Sequence, residues 1–480
     1  MKIKTYIQIL LIGVIAASCS DHLEPTPSSA ITSENYYTTI DELETALMGA
    51  YDAIQGDGSY DKDKNHGVQY EFYLTEMRSG NTATKIADPD DFSDSGQFES
   101  FDVLATNGLV ANYYSSFYQV IFRANVVLEN LGNVNDDTTA IEAEAKFIRA
   151  YAYFNLVRLF GDIPLIDHVL TPLEKDTQFI RVDKNLVYEL IVSDLQTAVL
   201  GLDNRYKTRA SKAAAQGLLA KVYLTLEEPE YIQAQLLLEE IINNPDYTLV
   251  NFNDVFYSEL NSEVIFAIGY ESINDSQNFS AQWMNGVGNS SGLNYATYDL
   301  VDDFNEFGGD RSQYSFRQDP VHLTSVRYQC AKYFPDGDNG GDTPIADFTS
   351  SPNPELAGND WIVLRYADIL LMHVEAIMAG AEQTSATTAL ASFQEVRNRA
   401  GLTDAITEIT VDDLLMERRV ELAFENHRLF DLIRLGKAQE VLSAYSELYG
   451  FGFTSSDLLL PLPQNEVNIS DGLMTQNPNY

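Results

Sequence analysis

Residues that could perform catalysis are spread along this 480-residue sequence without forming a catalytic motif that we recognise. Its six histidines include no HExxH pair, and the chain has neither a CxxC pair nor a phosphate-binding P-loop. His373 and His427 fall on apolar faces of predicted helices, which indicates core histidines. Carboxylates are so abundant that a glycosidase-type pair stays open as an alternative. We predict no enzymatic activity.

One acidic segment has part of the spacing of a calcium-binding loop. Asp336 and Asp338 occupy its first and third positions, Gly341 its sixth, and Asp342 follows directly. The twelfth position holds Asp347, where calcium loops carry glutamate. A solvated acidic turn is therefore the favoured interpretation, and calcium is the one metal cofactor that we keep as an alternative.

Binding chemistry is better represented, because the chain contains 28 Tyr, 24 Phe and two Trp. A flat aromatic ring can stack on a sugar while nearby polar groups bind the sugar's hydroxyls. Trp283 lies in a segment rich in Asn, Ser and Gly and is the best candidate platform, which Tyr295 and Tyr298 could flank. Trp361 leads into an apolar segment and is predicted to be structural. Core packing remains an alternative for all of these rings.

The overall composition limits the classes of partner. The formal charge of −41 and the pI near 4.2 exclude a nucleic-acid-binding surface, which needs clustered Lys and Arg. With 45% hydrophobic residues, the chain can bury a large core as one broad domain or two lobes. The two cysteines, Cys19 and Cys330, predict no internal disulfide, because Cys19 belongs to a leader and Cys330 is expected to be buried.

The strongest periodic pattern lies in residues 413–436 and predicts one helix. Its buried stripe is predicted to be Met416, Val420, Phe424, His427 and Phe430, with acidic residues at its start and Gly436 at its end. A row of like charges at helical spacing would repel without partners from elsewhere. The row consists of Glu417, Glu421 and Glu425, and the nearest cations in sequence are Arg397 and Arg399.

Further patterns predict a mainly helical fold. Helices are expected over residues 41–54, 68–77, 109–131, 143–160, 209–244, 363–380 and 389–402. Residues 209–244 read as two helices joined near Pro229, in the manner of a tetratricopeptide hairpin, and small residues should let this pair approach closely. Residues 250–360 look irregular, apart from a β-like run at 263–271. Such long irregular regions usually carry function.

The first residues have the features of an export signal. Lys2 and Lys4 precede an apolar run at residues 7–17 that is too short to span a bilayer. Small residues then lead directly to Cys19, as at the site where bacterial lipoproteins are lipidated, and cleavage near Ala17 is the alternative. We predict a lipoprotein signal peptide at 1–18 and a lipidated tether at 19–35.

Five blocks of the sequence, in the right order, resemble the SusD/RagB family of surface nutrient-binding lipoproteins. They include AEAKFIRAYAYFNLVRLFGDIPL at 143–165, ERRVELAFENHRLFDLIRLG at 417–436 and LLLPLPQNEVNISDGLMTQNPNY at 458–480. Asn426 stands where the family more often has Gly, and Leu429 where an aromatic is common. The resemblance implies a SusD-like fold in which tetratricopeptide-type hairpins support a loop-rich ligand-binding lobe with short β segments.

The resemblance also implies a function and partners. Family members bind glycans or peptides at the cell surface and cover a SusC-type TonB-dependent transporter in the outer membrane. The segment at 76–81 resembles a family segment near the binding surface, which adds Arg78 and Asn81 to the ligand-binding candidates. We divide the mature chain into a helical-repeat region at 36–250 and a C-terminal region at 251–480. An oligopeptide as cargo, or a surface glycosidase, remain the alternative functions.

Overall fold

The computed structural model describes residues 36–56, 65–84, 94–271, 279–283, 294–318, 327–333 and 358–480. These residues form a mainly helical structure with short strands, as the sequence predicts. The α-helices, α1 to α17, are Ile40–Gln55, Glu71–Leu74, Gly96–Ser100, Gly108–Asn130, Thr139–Phe160, Lys184–Gly201, Lys212–Thr225, Tyr231–Ile242, Phe252–Tyr257, Tyr298–Phe307, Ser312–Ser315, Tyr366–Met378, Thr387–Arg399, Val411–Leu422, Arg428–Arg434, Ala438–Tyr449 and Gln464–Ile469. The strands, β1 to β10, are Thr82–Ala83, Ile163–Pro164, Arg181–Val182, Val264–Ile268, Tyr295–Ala296, Phe316–Gln318, Tyr328–Cys330, Trp361–Arg365, Gln383–Thr384 and Ile409–Thr410.

The long helices stack side by side in a series. Each member packs against the next, in the order α1, α4, α5, α6, α7, α8, α12 and α13. The predicted hairpin at 209–244 is confirmed as α7 and α8, and the predicted helix at 389–402 is confirmed as α13. Between α5 and α6, Arg149 binds Asp194 through two hydrogen bonds of 2.8 and 2.9 Å. The series buries the largest apolar core of the described chain and forms a support for the residues that follow it.

Gly217 of α7 allows a close approach by a neighbour outside the hairpin. A Cβ atom added to Gly217 would lie 2.4 Å from Leu364 of β8 and 3.0 Å from Ile369 of α12. The close approach at Gly217 is therefore to the strand and helix at 361–378, while α7 also packs against its hairpin partner α8.

The irregular region contains more regular structure than the sequence predicts. The β-like run at 263–271 is confirmed as β4, which pairs antiparallel with β8. Residues 363–365 were expected to begin a helix, but they belong to β8, and α12 starts at Tyr366. Apolar runs of five residues fit a buried strand as well as a helix, so periodicity alone does not separate them. A second sheet has the strand order β1-β5-β7-β6.

The prediction of one helix at 413–436 is wrong. Helix α14 ends at Leu422 and α15 begins at Arg428, because Phe424 and Asn426 adopt φ angles of 68° and 63°. These left-handed conformations are incompatible with an α-helix. The break is anchored from outside, since the backbone N–H of Asn426 donates to the carboxylate of Glu76 at 2.9 Å.

The ends of this helical segment also differ in detail from the prediction. The N-cap of α14 is Thr410, whose hydroxyl accepts a hydrogen bond from the backbone N–H of Asp413, while the Asp413 carboxylate accepts one from the backbone N–H of Thr410. The predicted helix at 68–77 is shorter as well, because a 3₁₀ turn at Gly67–Tyr70 precedes the four-residue α2.

The predictions that Cys330 and His373 are core residues are confirmed. Cys330 is buried, and burial raises the pKa of its thiol to about 12, so it packs as a small apolar residue. His373 is buried and its Nδ1 atom lies 2.8 Å from the Ser392 hydroxyl, which confirms a core histidine. His427 is half-buried, and burial together with the Lys221 ammonium group lowers the pKa of His427 to about 3.

Candidate functional site

The carboxylates of the predicted acidic row are all bound in ion pairs, so their role is structural. Glu417 binds Arg311 at 2.6 Å and Arg397 at 3.2 Å, and Glu421 binds Arg365, Arg311 and Arg399. The predicted partners Arg397 and Arg399 are therefore confirmed. Burial alone would raise the pKa of Glu421, but Arg399, Arg365 and Arg311 hold it well below its usual range. A carboxylate held ionised by three guanidinium groups is a poor proton donor.

The third carboxylate of that row is held in the same manner. Glu425 accepts hydrogen bonds from Arg365 at 2.7 and 2.8 Å and from the Lys332 ammonium group at 2.7 Å. Lys332 also reaches the main-chain oxygen of Glu421 at 2.8 Å. This buried network joins β8 to the segments that follow β7 and α14, and its role is structural.

The best candidate from the sequence, Trp283, is not a surface platform. It is 1% exposed, and its ring packs against Phe72, Tyr333 and Phe424 at centroid distances of 5.4 to 5.8 Å. Its neighbours are aromatic because the short 3₁₀ turn at Phe279–Trp283 folds inward. No sugar ring can stack on Trp283 in this conformation, and we correct its assignment to core packing.

Arg78 and Asn81 are buried as well. The Arg78 guanidinium group donates to the backbone oxygens of Leu74 and Asp457, and burial lowers its pKa to about 10. The Asn81 side chain donates to Glu76 at 2.9 Å and accepts a hydrogen bond from Arg419 at 3.0 Å. Neither side chain reaches the surface, so a direct contact with a ligand is excluded for both in this conformation.

The turn that contains Asn81 nevertheless positions an exposed aromatic residue. The main-chain oxygens of Gly80 and Asn81 accept hydrogen bonds from the hydroxyl and backbone N–H of Thr297, at 2.8 and 3.0 Å. Thr297 is the N-cap of α10, whose first residue is Tyr298. Gly80 has a φ of 79°, and its α-carbon approaches the Tyr445 ring, which explains the glycine at this position.

Tyr298 belongs to a surface cleft lined by tyrosines, which we call the tyrosine cleft. Its main residues are Tyr295, Tyr298, Arg327, Tyr328, Tyr445 and Tyr449. Tyr298 is 40% exposed, Tyr328 and Tyr449 are half-buried, and Tyr295 and Tyr445 form the buried floor. The enclosed volume is only about 10 Å³, room for about one water molecule. The cleft can therefore offer ring faces and edges to a ligand, but it cannot enclose one.

Separate elements bring these rings together. Tyr295 and Tyr328 lie on the neighbouring strands β5 and β7, and the Tyr298 and Tyr328 rings meet edge to face at 6.4 Å. Tyr445 and Tyr449 lie one turn apart on α16, with ring centroids 4.9 Å apart. The Arg327 guanidinium group lies over the Tyr295 ring at 5.0 Å.

An acidic group completes the rim of the cleft. Asp299 follows Tyr298 on α10, and its carboxylate lies 2.7 Å from Arg419, the residue that Asn81 orients from below. Partial burial raises the pKa of Tyr449, and Asp299 and Tyr298 act in the same direction, so its hydroxyl stays protonated at neutral pH. Protonated phenols, a guanidinium group and a carboxylate offer both donors and acceptors to a polyhydroxylated ligand.

Of the predicted ligand-binding residues, the structure brings Tyr295 and Tyr298 into the cleft and leaves Trp283, Arg78 and Asn81 beneath the surface. Sequence reasoning missed Arg327, Tyr328 and Tyr449. The spacing of Tyr445 and Tyr449 places both rings on one helix face, which was an available signal. No local sequence pattern predicts that this helix packs beside β7.

Several predictions fall outside the described residues. Asp336, Asp338 and Asp342 do so, and so does the leader with Cys19. In the part of the chain that the structure describes, no three His, Cys, Asp or Glu side chains are grouped to hold a metal ion. No described helix is both long and apolar enough to cross a membrane.

Two family models match the chain. One, described as starch-binding and associating with the outer membrane, matches residues 23–224, and the SusD family model matches residues 345–480. Together they cover more than half of the sequence. The chain belongs to the SusD/RagB family.

Proteins similar to this SusD/RagB family member support the assignment. The SusD-like protein P2 of Formosa agariphila is 28% identical over the full length of both chains. A SusD-like protein of Bacteroides ovatus is 27% identical, over 90% of this chain and 83% of that protein. Both relatives carry SusD-like names, and neither name denotes an enzyme.

Solved structures show the same fold. A laminarin-binding SusD-like protein is 26% identical, with a TM-score of 0.74 over 92% of this chain and all of that one. Surface glycan-binding protein A of Bacteroides thetaiotaomicron, solved with laminarihexaose, has a TM-score of 0.75 at 23% identity over 92% of this chain. The second likeness concerns the fold alone.

Proposed function

We propose that this protein is a cell-surface lipoprotein that binds a nutrient glycan or its oligosaccharides at the tyrosine cleft. The observation that carries the proposal is the presence of three accessible tyrosine rings, Tyr298, Tyr328 and Tyr449, above a rigid, buried support. Such rings stack on the C–H faces of sugars at a small entropic cost, because each has few rotatable bonds. Arg327 and Asp299 at the rim supply hydrogen bonds to hydroxyls.

The shape of the cleft favours a polymer over a small molecule. A cleft with almost no enclosed volume buries little of a free monosaccharide, whereas a chain of sugars can contact several rings in succession. The laminarin-binding relative of known structure supports a glycan as the cargo. We infer binding without cleavage of the ligand, and the ion pairs that hold the carboxylates of Glu421 and Glu425 support this.

The proposal includes delivery. We infer that Cys19 carries the lipid, that residues 19–35 tether the body to the outer membrane, and that the bound glycan passes to a SusC-type TonB-dependent transporter beneath it. The family model described as associating with the outer membrane supports this placement. The order of signal, tether and helical body in the sequence supports it as well.

The test is binding of the soluble body, residues 20–480, to a panel of polysaccharides that includes laminarin, and to peptide mixtures. We expect saturable binding to a glycan, and Tyr298→Ala should weaken it roughly tenfold, the value of one lost stacking contact. Tyr206→Ala is the matched control, because Tyr206 is exposed to the same extent, 38%, outside the cleft. Retention of peptides alone would replace the glycan with an oligopeptide cargo and refute the proposal.

A further inference from the structure

A second cavity lies on the helical-repeat region, and we call it the α4 pocket. Its volume is about 390 Å³, within the range of pockets that hold small molecules. One wall is the face of α4 that carries Tyr114, Tyr118 and Phe122, and the loop after β2 forms another with Ile166 and His168. None of its lining residues lines the tyrosine cleft.

The aromatic wall offers a stacking surface. Tyr114, Tyr118 and Phe122 follow one another at one-turn intervals, so their side chains share one face of the helix. The Tyr114 and Tyr118 rings are 4.8 Å apart, and Phe122 is 54% exposed, which is unusual for a phenylalanine on a core-forming helix. Tyr118 is fixed in place, because its hydroxyl donates to the main-chain oxygen of Pro164 at 2.8 Å.

One polar group of the pocket has no ion pair within the described chain. Glu466, from α17 at the opposite side, is half-buried and forms no ion pair with the described residues. Burial raises the pKa of Glu466. The Tyr114 hydroxyl is buried beside Tyr118 and is not accessible to a ligand. Partial burial of a polar group without a partner costs free energy, and a ligand that binds Glu466 reduces that cost.

We infer that the α4 pocket binds a single neutral sugar ring and forms a second carbohydrate site, separate from the tyrosine cleft. The ring's C–H face would lie on Tyr118 and Phe122, and its hydroxyls would bind Glu466. The inference rests on the proposed glycan binding and adds a second point of contact. Two linked contacts on one polymer raise the overall affinity, because the second binding event occurs at a high effective concentration.

Other ligand classes fit the pocket less well. An anion would meet Glu466 and a strongly acidic protein. A purely apolar molecule would leave the Glu466 carboxyl group without a partner.

The test uses the Tyr298→Ala protein, so that the tyrosine cleft does not contribute. Glucose, galactose, mannose and N-acetylglucosamine are titrated at millimolar concentrations and followed by saturation-transfer NMR. We expect saturable binding of at least one sugar. In the same background, Phe122→Ala should weaken it roughly tenfold and Glu466→Gln by several-fold.

The control is Leu236→Ala, which removes an equally exposed apolar side chain, 53% exposed, from α8. It should leave the affinity unchanged. Absence of binding for all four sugars would overturn the inference, as would binding that neither pocket variant changes. Failure of the proposed function would be seen in a separate measurement, as absence of polysaccharide binding to the protein without substitutions.

Discussion

Glu71 and Glu421 show how differently burial acts on two carboxyl groups in one protein. Glu421 has three arginines around it, which keep its pKa well below the usual range. Glu71 is equally buried, but one of its oxygens has no hydrogen-bond partner in the described structure. Burial raises the pKa of Glu71 to about 7, although Arg158 and Lys221 act against the shift. The first carboxylate is stabilised as an ion, and the second is a source of instability above neutral pH.

This difference predicts the effect of pH on Glu71→Gln. In the folded state Glu71 holds its proton up to about pH 7, whereas the unfolded chain releases it near 4.5. The folded state therefore binds more protons between these values, and the contribution of Glu71 to the free energy of unfolding falls as pH rises. At pH 8, Glu71→Gln should raise the free energy of unfolding by up to about 3 kcal/mol.

Urea unfolding at pH 8 and pH 5 checks this prediction. The gain from Glu71→Gln should largely disappear at pH 5, where the native carboxyl group is already neutral. Glu440→Gln, at an exposed position on α16, should have little effect at either pH. An equal change from Glu71→Gln at both pH values would contradict the account.

Among the elements, the break between α14 and α15 is the feature that the sequence conceals. The apolar stripe continues through Phe424 and His427 at helical spacing, so nothing local signals an interruption. The cause is tertiary, because Glu76 binds the backbone of Asn426 while Arg365 and Lys332 hold Glu425. The positive φ of Asn426 also explains why the family more often has Gly at this position.

The break predicts a contrast between two substitutions of Asn426. Asn426→Gly should leave the free energy of unfolding within a few tenths of a kcal/mol, because glycine adopts positive φ without strain. Asn426→Ala should lower it by about 1–2 kcal/mol, the strain of a left-handed residue with a Cβ atom. Thermal or urea unfolding of both variants measures the difference. Equal stability of the two would mean that this segment does not require the left-handed conformation.

Helices with a single apolar stripe were predictable, and segments whose form depends on distant partners were not. The long helices α1 and α4 begin and end within one residue or two of the predicted bounds. Residues 361–365 became a strand because β4 was available to pair with them. Trp283 was misplaced for a similar reason, since a Gly- and Asn-rich context does not reveal that Phe72 and Phe424 surround the ring.

At the scale of the whole molecule, the candidate binding surface is a product of the fold. The tyrosine cleft combines β5, β7, α10 and α16, and the turn at Gly80 and Asn81 fixes the start of α10. Helix α16 and the turn at Gly80 and Asn81 lie far in sequence from β5, α10 and β7, so their meeting depends on the tertiary fold. Tyr295 and Tyr298 could be predicted from their loop context, whereas Tyr328 and Tyr449 needed the assembled structure.

The most direct test of the account is tyrosine footprinting of the protein with and without a saturating glycan from the binding panel, read by mass spectrometry. We predict that Tyr298, Tyr328 and Tyr449 lose reactivity when the glycan is bound. Tyr36 and Tyr206, which are exposed outside the cleft, should keep theirs. Unchanged reactivity in the cleft, together with protection elsewhere, would contradict the proposal that the tyrosine cleft is the glycan-binding site.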